Sequence, residues 1–192
     1  IAISPENVLY STGAYIMTQK DIRERLAIAV FSQEEEPTFI VCGIEESLAR
    51  EESWIKNINS YFEFKESPIQ LLVKTICKKG LNKGRIGIEM HYLSSADYVE
   101  LTKLLPEAKF VECRGIFDEV KMIKDEKEIE FLSHAAKITR QSVDAAFITA
   151  KAGDTERQLA NQININLINQ GVDDLAFIVL GTGKRSALAH PI

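Results

Sequence analysis

The chain has 192 residues, of which 45% are hydrophobic and 27% are charged, and its formal net charge at pH 7 is −5. This composition suits one or two globular domains, and the interleaved charges argue against the basic stripe of a nucleic-acid-binding protein. No apolar run approaches the roughly 18 residues of a transmembrane helix, so we expect no membrane association.

Three widely separated cysteines, Cys42, Cys77 and Cys113, each lie in an apolar stretch. We expect small buried hydrophobic residues there, without a disulfide scaffold or a thiolate metal site, and therefore a cytoplasmic protein. Residues 1–10 lack the features of a signal peptide. Because the sequence starts without methionine and stops shortly after His190, we expect a fragment of a longer protein.

Strands and short helices alternate in the first part of the chain. Two β-rich runs, residues 26–32 and 38–43, predict a hairpin across a polar loop. Ser67 and Pro68 predict the start of a helix that ends at Gly80. The other predicted elements are a charged helix over 45–58, a short strand over 61–64, a strand over 85–90, a helix over 95–105 and a strand over 109–113. Together they predict an α/β domain with a mixed sheet.

The pattern changes near Phe117, where a charged stretch introduces a helical region. Asp125 and Glu128 predict an acidic capping box at the start of one long amphipathic helix that closes at Gly153. Asp154 or Thr155 then caps a second helix. The apolar residues 175–180 predict a buried strand, which leads into a loop over 181–186.

The loop after residue 180 contains Gly183-Lys184, but a phosphate-binding loop also requires a glycine where Ile178 stands. The three histidines show no spacing typical of a metal site. His190 is the candidate functional residue, because it follows a buried strand on a loop of small residues stiffened by Pro191.

Five segments, in this order, resemble the prolidase, aminopeptidase P and creatinase family of pita-bread enzymes. They are the Asn-x-x-Tyr-x-x-Gly pattern over 7–13, the Glu-Arg step over 23–26 with Leu26 in place of proline, the Ile-Lys-x-x-x-Glu-Ile junction within 122–130, the Gly-x-Thr-Glu turn within 152–156, and the run from Gly171 through Gly183 to His190.

The resemblance implies an N-terminal mixed-sheet α/β domain over 1–118 and the beginning of a pita-bread α+β catalytic domain over 119–192. It also implies hydrolysis of Xaa-Pro peptides with two divalent metal ions, manganese or cobalt, whose ligands follow residue 192. The resemblance further implies that His190, which matches a family histidine, contacts the substrate or intermediate. We expect a homodimer in which Arg25 is a substrate-binding candidate at the border with the partner's active site, and we expect this chain alone to be inactive.

Two other functions remain open for the same fold. A creatinase-like hydrolase would keep the histidine and cleave a C–N bond without metals. A non-catalytic member, like the histone-chaperone relatives of the fold, would only hold peptides. The metal ligands distinguish these alternatives, because only the peptidase needs them.

Overall fold

The computed structural model describes residues 1–190, and the chain divides into two compact units, Ile1–Met122 and Ile123–Ile192. The domain boundary predicted after residue 118 stays a prediction. Over residues 1–190, no helix is both long enough and apolar enough to span a bilayer.

The first unit alternates helices with strands. Its elements are α1 (Pro5–Thr12), α2 (Met17–Asp21), β1 (Ile28–Val30), β2 (Thr38–Cys42), a 3-10 turn (Gly43–Glu45), α3 (Glu46–Glu52), β3 (Asn57–Tyr61), α4 (Pro68–Lys78), β4 (Arg85–Ile88), α5 (Ser95–Leu104), β5 (Lys109–Glu112) and α6 (Arg114–Met122).

The strands form a three-stranded mixed sheet and a two-stranded parallel sheet. Strand β1 pairs antiparallel with β2, as the predicted hairpin requires, and β2 pairs parallel with β3. Strand β4 pairs parallel with β5. Ala2 forms an antiparallel bridge with Ala29, and the Ile1 nitrogen donates to the Gly87 carbonyl at 2.8 Å. The start of the chain therefore links β1 to β4.

Alternation along β1 and β2 sends successive side chains to two separate hydrophobic clusters. Ile28 and Ile40 belong to the cluster that α4 and α5 cover, whereas Ala29 and Phe39 belong to the other. Helix α4 begins where the sequence predicts, because the Ser67 hydroxyl accepts a hydrogen bond from the Gln70 amide. Pro68 also fits the first position of the helix, where its missing N–H would have no partner within the helix.

The second unit is built on an antiparallel pair of helices, α7 (Glu126–Thr149) and α8 (Glu156–Ile168). Asp125 and Glu128 form the predicted capping box of α7, and Thr155 with Gln158 forms that of α8. The small core of this unit comprises Ala146, Ile163 and Leu167. A 3-10 turn, Gly183–Ala187, follows a segment without regular secondary structure.

The helix predicted over 45–58 is wrong beyond Glu52, and the strand predicted over 61–64 is misplaced. Ile58 belongs to β3, because a polar stretch that looks helical locally supplies the parallel partner of β2. Strand β3 ends at Tyr61. Phe64 takes a left-handed φ of 65°, which is incompatible with a strand, and it is 96% exposed.

The buried strand predicted over 175–180 is also wrong. This segment has no regular secondary structure and belongs to no sheet, because none of the described residues of the second unit supplies a neighbouring strand. Leu175, Ile178 and Leu180 pack against the small core, whereas Phe177 is 75% exposed.

Only two of the three cysteines are buried as predicted. All three are free, but Cys77 is exposed. It follows Ile76 on α4, and a helical step of about 100° per residue carries it away from the buried face.

Candidate functional site

His190 lies in the second unit at the end of a segment that we call the histidine loop, residues 182–190. The 3-10 turn Gly183–Ala187 forms the middle of this loop. The Ser186 hydroxyl donates to the Gly183 carbonyl at 2.7 Å, and the Leu188 amide donates to the Arg185 carbonyl at 3.0 Å. His190 comes two residues later and is exposed among residues 1–190.

The beginning of the histidine loop is attached to the start of α8. Glu156 Oε1 accepts from the Thr182 amide at 2.6 Å and from the Thr182 hydroxyl at 3.0 Å. Its other carboxylate oxygen pairs with Arg185 Nε at 3.0 Å. The hydrogen bond from the Thr182 amide is the main cause that lowers the pKa of Glu156, so this carboxylate stays ionised at neutral pH.

An apolar contact precedes this polar attachment. Leu180, two residues before Thr182, packs against the core cluster that contains Ile163 and Leu167. The chain that enters the histidine loop is therefore held by packing at Leu180 and by hydrogen bonds at Thr182.

Arg25 lies in the first unit, immediately before the buried residues that lead into β1. Its guanidinium makes two hydrogen bonds to the Glu63 carboxylate, from Nε to Oε1 at 2.7 Å and from the NH2 nitrogen to Oε2 at 3.0 Å. The Glu63 hydrogen bond raises the pKa of Arg25. With its side chain 19% exposed, Arg25 can bind a substrate or a partner only beside Glu63 or in exchange for it.

The two predicted site residues thus occur in different units, Arg25 in the first and His190 in the second. Among the described residues, no three His, Cys, Asp or Glu side chains lie close enough together to hold a metal ion. We therefore assign no metal ligand to residues 1–190.

The sequence did not reveal the importance of Glu89. This glutamate is completely buried, and its carboxylate accepts from the Ser4 amide at 2.9 Å, the Ser4 hydroxyl at 2.8 Å, and also the Ile3 amide and the Asn7 side-chain amide. These donors lie at the N-terminus of α1, where a negative charge is favourable. The Asn-x-x-Tyr-x-x-Gly pattern thus contributes its asparagine to a structural network. The sequence feature that could have indicated this role is a charged residue directly after an apolar strand.

Comparison with known proteins identifies one family in the first part of the chain and several relatives along nearly all of it. Residues 1–123 match the family described as Creatinase/Prolidase N-terminal domain. The chain is 29% identical over 186 residues to a putative dipeptidase, YkvY, of Bacillus subtilis, covering 96% of this chain and 50% of that protein. It is 28% identical over 193 residues to an Xaa-Pro dipeptidase of Lactobacillus helveticus, covering 97% and 50%.

Solved structures show the same architecture. The prolidase of Pyrococcus horikoshii superimposes with a TM-score of 0.80 at 25% identity, covering 98% of this chain and 49% of that one. The X-Pro aminopeptidase of Thermotoga maritima gives 0.81 at 21% identity, covering 98% and 50%, and shows the fold alone. These likenesses confirm the predicted fold class. The chain spans about half the length of the curated relatives it matches.

Proposed function

The chain belongs to the creatinase/prolidase N-terminal domain family, and we propose that the complete protein is a metal-dependent Xaa-Pro peptidase of the prolidase or aminopeptidase P type. The observation that carries this proposal is the similarity to an Xaa-Pro dipeptidase along nearly the whole chain. In this proposal the substrate is a dipeptide or peptide with proline in the second position, and the protein works as a cytoplasmic homodimer.

Manganese or cobalt ions, held by ligands outside residues 1–190, would supply the Lewis acidity and the activated water of such a reaction. The role proposed for this chain is that of His190. An imidazole N–H donates a hydrogen bond to the carbonyl oxygen that becomes negative as the tetrahedral intermediate forms. Support comes from its position at the end of an anchored loop.

The proposed activity is tested on the complete protein with an Xaa-Pro dipeptide, a tripeptide with proline in the second position, and a matched dipeptide without proline. We expect turnover of the proline substrates only, its loss on chelation, and its return with manganese or cobalt. Peptide binding without turnover in the metal-loaded protein would instead favour the non-catalytic alternative. Turnover of a small guanidino compound by metal-free protein would favour the creatinase-like one.

His190→Ala tests the catalytic role directly. Because the lost hydrogen bond strengthens as the oxyanion forms, we expect kcat to fall by about 10²–10³-fold, roughly 3–4 kcal/mol, with little change in KM. His134→Ala is the matched control, since His134 is an exposed histidine on α7. Metal stoichiometry should be unchanged in both variants. A near-normal kcat refutes the role, and loss of metal together with activity would make His190 a ligand.

A further inference from the structure

We propose that Glu156 is a positioning residue that fixes the histidine loop and, through it, His190. The attachment itself is independent of the proposed function. Its effect on turnover rests on that function.

The attachment uses the whole Glu156 carboxylate. One oxygen accepts two hydrogen bonds from Thr182, and the other pairs with Arg185. Thr182 precedes the 3-10 turn of the loop, and Arg185 lies inside it. The carboxylate therefore restrains both the entry and the middle of the histidine loop.

Helix capping does not account for Glu156, although it is the first residue of α8. The Thr155 hydroxyl already accepts from the Gln158 amide at 3.3 Å, and the Gln158 side chain accepts from the Thr155 amide at 2.8 Å. This capping box serves the N-terminus of the helix without help from Glu156. The Glu156 carboxylate is instead directed to Thr182 and Arg185, which lie 26 and 29 positions later in the chain.

The restraint extends toward His190 along a short path. Arg185 is bonded through its carbonyl to the Leu188 amide, and His190 follows Leu188 by two residues. A catalytic group must be held close to its productive position, and a displacement of about 1 Å can lower a rate by about 100-fold. Release of Thr182 and Arg185 would therefore lower turnover without removing any group that touches the substrate.

The sign of the pH dependence follows from the lowered pKa of Glu156. A carboxylate whose pKa is lowered in the folded protein stabilises its contacts above its ordinary pKa, and this stabilisation is lost as the pH falls through the lowered value. The attachment should therefore be complete at neutral pH and should be released only in acid.

The first part of the test measures the attachment in the complete protein by hydrogen exchange of peptides that contain the histidine loop. We expect Glu156→Ala to increase their exchange rate by about tenfold. Glu156→Gln should have a smaller effect, because its amide oxygen still accepts from Thr182 while the ion pair with Arg185 is lost. Gln158→Ala is the matched control: it weakens the cap of α8 but should leave exchange of the loop within about twofold.

The second part measures Xaa-Pro dipeptide turnover of the same variants. We expect kcat to fall by about 10–100-fold in Glu156→Ala and less in Glu156→Gln, with KM nearly unchanged. If Glu156→Ala fails to fold, Arg185→Gln and Glu156→Gln provide the same comparison.

The outcomes separate the two proposals. Unchanged loop exchange in the Glu156 variants overturns the attachment. Faster exchange with a normal kcat overturns the positioning of His190. Faster exchange in a protein whose wild type hydrolyses no Xaa-Pro substrate supports the attachment and refutes the proposed peptidase function.

Discussion

Glu89→Gln is the most informative change in the first unit, because it keeps the shape of the side chain and removes one acceptor and the charge. Glu89 is 0% exposed, so water does not replace a lost partner. Its Oε2 accepts from the Ile3 and Ser4 amides, and its Oε1 accepts from the Ser4 hydroxyl and the Asn7 Nδ2 group. A glutamine oxygen can serve the two backbone amides, which leaves the glutamine Nε2 facing the other two groups.

The cost follows from what those two groups can do. The Ser4 hydroxyl can rotate and accept a hydrogen bond. The Asn7 amide is restrained, because its Oδ1 already accepts from Lys121 Nζ at 2.6 Å, so Nδ2 continues to point at another donor. A buried N–H group that faces another donor, as Asn7 Nδ2 then does, costs about 1–3 kcal/mol. The hydrogen bonds that remain are also weaker, because the acceptor is no longer charged. We expect Glu89→Gln to lower the free energy of unfolding by about 2–4 kcal/mol.

Urea unfolding followed by tryptophan fluorescence measures this loss. Trp54 is the only tryptophan in the sequence. Its Nε1 donates to the Ser11 carbonyl of α1 at 2.9 Å, so the signal reports on the first unit. The matched control is Glu112→Gln. Glu112 accepts from the Cys113 and Arg114 amides at 2.9 and 2.8 Å, but its side chain is 42% exposed.

Because water can replace its lost contacts, we expect Glu112→Gln to cost less than about 1 kcal/mol. The double variant Glu89→Gln/Lys121→Ala should recover about 1 kcal/mol relative to Glu89→Gln, since Asn7 can then turn its amide and present an oxygen. A free energy of unfolding for Glu89→Gln within about 0.5 kcal/mol of the wild type, or equal to that of the control, refutes the reasoning.

Two further predictions concern Arg25 and the boundary between the domains. In the complete protein, Arg25→Ala should raise KM for an Xaa-Pro dipeptide with little change in kcat. The control is Arg23→Ala, at a nearby exposed arginine, which should leave KM unchanged. An unchanged KM for Arg25→Ala removes this residue from the site. Limited proteolysis should cut first between residues 116 and 124, and trypsin should favour Lys124, which lies outside α6 and α7. Protection of that stretch with cleavage at Arg85 instead would contradict the boundary.

Local signals were sufficient wherever neighbouring residues determine the structure. The caps at Ser67, Asp125 and Thr155 begin helices as predicted, because each side chain bonds to an amide three residues later. The hairpin of β1 and β2 was likewise predictable, since both strands and their connection lie within a short stretch.

The sequence predictions failed where a structure depends on residues that are far apart along the chain. Ile58 carries a helical pattern but joins a strand, because β2 needs a parallel neighbour and the chain supplies one there. Phe177 belongs to an apolar run whose local sequence is typical of a strand. A strand forms only when a second segment pairs with it, and the local sequence does not show whether such a segment is present. Glu89 and Glu156 were missed as anchors for the same reason, since their partners lie more than 80 residues and 26 residues away along the chain.

Glu89 and Glu156 also show how burial decides what a carboxylate contributes. Both bind backbone amides, but Glu89 is sealed from water, whereas the Glu156 side chain is 24% exposed. Loss of the Glu89 charge leaves a buried donor without an acceptor, so its effect is on the free energy of unfolding of the first unit. Donors released from Glu156 can turn to water, so its loss costs little stability and changes mainly the order of the histidine loop. A residue that holds a candidate catalytic group is therefore better found by measuring local exchange and kcat than by measuring stability.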